Sequence, residues 1–87
     1  MTRPYRVEVA RRAAKALARL PRADQQRVRA AVELLAVEPR PPGCRPVVGE
    51  PGAYRVRVGV HRVVYEVHDD RLVVQVVRVG HRREVYR

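Results

Sequence analysis

The chain has no tryptophan, no phenylalanine and no serine among its 87 residues, and a single cysteine. Without the two large aromatics, its core has to be built from valine, leucine and alanine, with four tyrosines for bulk. Without serine, serine-hydrolase chemistry is excluded. Cys44 alone excludes a disulfide framework and a cysteine-based zinc site. Placed in a Pro/Gly loop with no histidine nearby, it reads as an incidental thiol. No run approaches the ~18 apolar residues of a membrane span, and the start of the chain has no signal-peptide apolar region. The expected location is therefore the cytoplasm, with no membrane partner. Lysine is nearly absent as well: Lys15 is the only one among 19 basic residues, so the other 18 are arginine.

What is present is charge of one sign. Against those 19 basic residues stand 9 acidic ones, giving a net charge of +10 and an isoelectric point of about 11.3. Codon bias explains a preference for arginine over lysine but not an excess of base over acid. That excess predicts a polyanionic partner: RNA, DNA or an acidic protein segment. The hydrophobic content of 46% argues for a folded chain rather than a disordered basic tail. At this length one small domain, 1–87, is expected, burying about 60–65% of the surface that the unfolded chain exposes.

The hydrophobic period changes along the chain. "YRVEV" (5–9) sets Tyr5, Val7 and Val9 against Arg6 and Glu8, the alternation of a half-buried strand. "ARRAAKALARL" (10–20) and "RADQQRVRAAVELLAVE" (22–38) carry apolar residues at helical spacing. Pro21 lies between them, breaking the first helix and starting the second, which predicts a helical hairpin. "PRPPGCRP" (39–46) is a rigid loop, unfit for helix or central strand. The period is then two: "YRVRV" (54–58), a short "GVH" connection, "RVVYEV" (62–67), a tight turn at Asp69–Asp70, and "LVVQVVRV" (72–79). The last is apolar on both faces, as an interior strand should be. The expected fold is α+β in the order β-α-α-β-β-β. The three C-terminal strands form an antiparallel meander, and the helices pack on one face of a twisted sheet.

The uncovered face is where chemistry is to be sought. Arg55 and Arg57 share it because they are two apart on one strand. Arg62 opens the next strand, and Arg82 and Arg83 follow Gly80, which is expected to turn the chain. Convergence of these arginines with Tyr86 gives one concave basic surface. Each arginine taken singly is as well explained as a solvated side chain; the cluster is not. The histidines His61, His68 and His81 have no metal-ligand spacing, Asp69 and Asp70 fit a turn, and Glu66 is expected to pair with a nearby arginine. No Gly-rich phosphate loop is present.

Taken in order, "RPPGCRPVVGEPGAYRVRVGVHRVVYEV" (40–67) and "VVQVVRVGHRREVYR" (73–87), with the helical "ARRAAKALARLP" and "QQRVRAAVELLAVEPRPPG" segments, resemble the RelE toxins of the RelE/ParE superfamily. The resemblance implies the toxin of a type II toxin–antitoxin system. It implies a ribosome-dependent endoribonuclease that cuts mRNA in the A site, with no cofactor and no metal, the RNA's own 2′-OH attacking the adjacent phosphate. A cognate RelB-like antitoxin is implied as partner in a hetero-oligomer, with an acidic segment over the basic face. The family's functional positions fall on Arg55, Arg57, Arg62, Arg82 and Tyr86.

In that frame Tyr86 is the candidate base, its phenol lowered from the ordinary ~10 by surrounding guanidiniums. Arg57, Arg62 and Arg82 stabilise the phosphorane, and Arg55 grips phosphate with them. His81 is an alternative acid or base, and Arg83 an RNA-steering charge. Where some family members have lysine, Arg55 and Arg57 stand here. An electrostatic role survives that change; proton transfer does not, because arginine does not deprotonate in proteins. Two other readings stay open: a ParE-like poison of DNA gyrase without nuclease chemistry, and a non-catalytic RNA- or protein-binding module.

Overall fold

The computed structural model describes residues 4–81. Its elements are β1 (Arg6–Val9), α1 (Arg11–Ala18), α2 (Arg22–Leu35), β2 (Arg45–Pro46), β3 (Ala53–Val58), β4 (His61–His68) and β5 (Val73–His81). The helical hairpin and the β3–β4–β5 meander stand where the sequence periods put them. The sheet is larger than the meander, with five strands in the order β1-β5-β4-β3-β2. β1 joins the far side of β5 in parallel, Arg6 opposite Val73 and Val9 opposite Val76. Arg45–Pro46, which in sequence looks like loop, adds a two-residue edge strand antiparallel to β3. Proline suits that edge, where no ladder N–H is required of it.

The helices stop where their packing stops. Ala13 and Leu17 of α1, and Val28, Val32 and Leu35 of α2, are buried against Val63, Tyr65, Val67, Val74, Val76 and Val79 of the sheet. Pro21 stands at the N-cap of α2 with φ −53°. Gln25 then closes the corner: its Nε2 donates to the carbonyl oxygens of Ala18 and Leu20, each at 3.1 Å. These would otherwise be unpaired acceptors at the end of α1. α2 ends at Leu35, three residues short of the helical period in the sequence, and the chain leaves through a turn.

Tyr65 is the largest fully buried side chain among the described residues, at 0% exposure, and its hydroxyl donates to the Pro39 carbonyl at 2.8 Å. Burial, then the neighbouring Cys44 thiol, pushes that hydroxyl up, which keeps it a neutral donor. One bulge interrupts the β4–β5 ladder. Val64 faces Arg78 but Tyr65 faces Val76, leaving Val77 as the extra residue. The bulge lets Val76 and Val79, an odd number apart, both point into the core. Beyond it the strand continues: Gly80 pairs with Arg62 and His81 with His61, so Gly80 is a strand residue and not the turn expected there.

Two further expectations are corrected. His61 is not part of the connection. The loop is only Gly59–Val60, with Gly59 at φ +62°, as a two-residue hairpin with glycine first requires. His61 opens β4 as a buried residue whose Nε2 lies 3.3 Å from Asp24 Oδ2 on α2. A proton on Nε2 meets the carboxylate, and the buried Nδ1, which has no partner among the described residues, is then a bare acceptor. Glu66 pairs not with an arginine but with His68, at 3.0 Å.

Asp69 does more than turn the chain. Its carboxylate takes two bonds from the Arg40 guanidinium and one from the Tyr5 hydroxyl, tying the start of β1 and the loop after α2 to the β4–β5 turn. Arg40 also lies over the Tyr54 ring, 5.2 Å from its centre. The bonds from Arg40 and then Tyr5 hold the Asp69 carboxyl below its ordinary range. A carboxylate so lowered stabilises the fold above the usual aspartate range and stops doing so as pH falls through its folded value. Asp69→Asn is therefore expected to melt below the wild type at neutral pH. In thermal melts across acid pH the gap should close as the wild-type carboxylate protonates. A gap that stays constant into strong acid counts against the clasp.

Among the described residues, no helix is long and apolar enough to cross a membrane.

Candidate nucleic-acid interface

The strand registers fix what the open face displays. Residues opposite one another in a ladder point to the same side. From the β3–β4 hairpin end, the first cross-strand row is Arg57–Arg62–Gly80. The second is Arg45–Arg55–Val64–Arg78. The third brings Glu66, Gln75 and Glu8 into line, and the fourth His68, Val73 and Arg6. The face is thus divided. Among the described residues, the strand rows of its hairpin half hold five arginines and no acid. The other half holds Glu66 and Glu8 with His68 and Arg6, already paired among themselves: Arg6 to Glu8 at 2.9 Å and His68 to Glu66 at 3.0 Å.

Within the arginine half lies a cleft of about 160 Å³ lined by Gly43, Arg45, Arg55, Arg57 and Arg62. Four guanidiniums face one small space, and among the described residues no carboxylate lines it. Arginine does not lose its proton in proteins, so the cleft keeps its positive charge, and planar forks suit the oxygens of a phosphate. Arg57 is held in place by its own hairpin, its Nε donating to the Gly59 carbonyl at 3.2 Å. The positive φ of Gly59 turns that carbonyl back toward the strand.

Of the residues expected to form the site, Arg55, Arg57 and Arg62 come together in this cleft. His81 does not join them. Its pairing with His61 puts it on the side of the sheet that faces α2, away from the arginines. Arg82, Arg83 and Tyr86 lie outside the described residues; the described part of β5 ends at His81, one residue beyond the partner of Arg62. Three residues of the face escape the sequence pattern: Arg45, Gly43 and Arg78. A two-residue edge strand is too short to show a period, which hides Arg45 and the loop glycine beside it. The Val77 bulge breaks the alternation of β5, which hides Arg78.

A family model for the ParE toxin of the type II toxin–antitoxin system parDE matches residues 7–86. The chain belongs to the RelE/ParE superfamily of type II toxins. Comparison with curated proteins gives no match, but solved structures do. The toxin is similar to a chain of the archaeal RelE–RelB complex from Pyrococcus horikoshii, with 30% identity over 91% of this chain and 96% of that one and a TM-score of 0.78. It is similar to a chain of the RelBE2 toxin–antitoxin complex of Mycobacterium tuberculosis, with 29% identity over 90% and 98% and a TM-score of 0.79. Against the isolated RelE toxin of E. coli the identity is 28% over 94% and 90%, with a TM-score of 0.79. The toxin therefore has a RelE-like structure while matching the ParE family model.

Proposed function

We propose that this toxin is a ribosome-dependent endoribonuclease that cuts mRNA in the A site. The observation that carries the reading is the gathering of Arg45, Arg55, Arg57 and Arg62 around one cleft, on a sheet face that neither α1 nor α2 covers. In the reaction a base takes the proton of the RNA 2′-OH. The freed oxygen bonds to the adjacent phosphorus, the bond to the 5′-oxygen breaks, and that oxygen receives a proton. Guanidiniums around the phosphate stabilise the extra negative charge of the phosphorane, and they do so without reorganising. The base is assigned to Tyr86, and charge stabilisation to Arg57, Arg62 and Arg82. Arg55 and Arg45 hold the substrate phosphates, with Arg83 as a steering charge.

The neutralising partner is assigned as a RelB-like antitoxin, since similar chains are found in RelE–RelB complexes, with an acidic segment set against the arginine half of the sheet. The place of action is the cytoplasm, where ribosomes and mRNA are.

A second reading has its own support: the matching family model is that of ParE, and a gyrase poison of this fold needs no nuclease chemistry. Induction of the chain alone separates the two. The nuclease reading expects growth arrest with new 5′ ends in ribosome-bound mRNA, mapped by primer extension. Arrest with intact mRNA and altered DNA supercoiling replaces it with the gyrase reading. Unimpaired growth makes the chain a binding module.

A further inference from the structure

The cleft accounts for four of the five arginines on the hairpin half of the sheet. The fifth, Arg78, lies in the same cross-strand row as Arg45 and Arg55, two strands beyond Arg55 with Val64 between them. Adjacent strands are about 4.8 Å apart, so Arg78 stands roughly 10 Å from Arg55 across the sheet. It does not line the cleft. The next row toward the far end is Glu66, Gln75 and Glu8, where a phosphate meets carboxylates instead.

We propose that Arg78 binds a second phosphate of the RNA, next to the one in the cleft, so that the RNA runs across strands β2, β3, β4 and β5 and not along them. The row Arg45–Arg55–Val64–Arg78 is a cationic track with a defined direction, and Glu66 and Glu8 form its border. A polynucleotide crossing the strands meets Arg45, Arg55 and Arg78, with Val64 the one uncharged position between them. One following the strands leaves the arginines within two rows and passes over Glu66. The track explains why a strand interior tolerates an arginine in "VVRV": the bulge at Val77 turns position 78 to the open face while keeping Val76 and Val79 in the core. This inference rests on the RNA reading of the face and adds to it a residue and an orientation.

The test is the salt dependence of binding to a single-stranded RNA oligonucleotide blocked against cleavage by 2′-O-methylation, using the full chain. Each phosphate contact on single-stranded nucleic acid contributes about 0.7 to the slope of log K against log salt. Arg78→Gln is expected to lower that slope by about 0.7 and to weaken binding about tenfold at low salt. Arg78→Lys should keep the slope, since the charge stays, while losing part of the affinity. Arg71→Gln, on the exposed turn at the opposite end of the sheet, should change neither. If Arg78→Gln binds with wild-type slope and affinity, the assignment is overturned while the RNA reading stands. It is overturned equally if Arg78→Lys loses as much slope as Arg78→Gln, because position 78 is then structural; this arm also decides the matter should the glutamine variant fail to fold. If the wild type itself binds the oligonucleotide with no salt slope, the RNA reading falls and takes the track with it.

Discussion

Tyr86→Phe is expected to slow mRNA cleavage on programmed ribosomes by about 10²–10⁴-fold, the usual contribution of a general base, while RNA affinity changes by less than about twofold. The affinity should hold because phenylalanine keeps the ring and the guanidiniums do most of the binding. Elimination comes first, then geometry. On the nuclease reading a group has to take the 2′-OH proton, and no arginine can. The sequence leaves His81 and Tyr86 as candidates after Gly80. The register then sets His81 opposite His61, on the side of the sheet that meets Asp24 of α2, so it is turned from the cleft. His81→Gln is accordingly expected to cleave within about twofold of wild type. Single-turnover rates against pH give an independent readout: a base that must shed its proton gives a rate that rises with pH, and the phenylalanine variant should be flat. A Tyr86→Phe rate within about twofold of wild type would end the assignment, and a large loss in His81→Gln would transfer it.

Much of the fold is legible in the sequence because its signals are local. Alternation in "YRVRV" and "RVVYEV", helical spacing on either side of Pro21, and a two-residue hairpin loop headed by Gly59 all act within a few residues. What is not legible depends on contacts between distant segments. The parallel pairing of β1 with β5 joins residues 6–9 to 73–76, and no turn chemistry announces a parallel partner. The Arg40–Asp69–Tyr5 clasp draws on three separate segments, which is why Asp69 reads in sequence as a turn residue and nothing more. His61 resembles loop because a polar residue after Gly-Val looks like a connection; its burial is set by the pairing with Asp24, 37 residues earlier.

The site divides in the same way. Arg55, Arg57 and Arg62 are visible because two of them alternate on one strand and the third opens its neighbour. Arg45 is not, since it is placed by pairing with Arg55 at a sheet edge only two residues long. Arg78 is not, since the bulge beside it reverses the parity that sequence alternation relies on. The acidic border is hidden too: Glu8 and Glu66 come from strands far apart in the chain and meet in one row through β5. A net charge of +10 points to a polyanion, but only the register shows that the open face is basic on one half and internally neutralised on the other.

That division makes Arg62 the arginine with the largest expected effect. It sits in the row nearest the hairpin, opposite both Arg57 and Gly80, where β5 comes to the end of its described length. It is therefore the cleft residue in register with the chain that leads on to Arg82 and Tyr86. Arg62→Gln is expected to lower kcat by about 10²–10³-fold, the scale of removing one preorganised donor from a developing charge. On the proposed role, in which Arg62 meets the phosphorane more than the ground-state phosphate, kcat and kcat/KM should fall together. Arg62→Lys should recover part of the loss: it restores the charge but not the two parallel bonds of the fork. Arg55→Gln, farther along the track, should instead raise KM with kcat nearly unchanged, as loss of uniform binding does. If Arg62→Gln shows that pattern, raised KM with intact kcat, Arg62 holds RNA without acting on the reacting phosphate, and the charge-stabilising role passes to Arg57. If Arg62→Gln loses toxicity while mRNA is never cut in the wild type, the cleft serves a target other than RNA, and the gyrase reading inherits it.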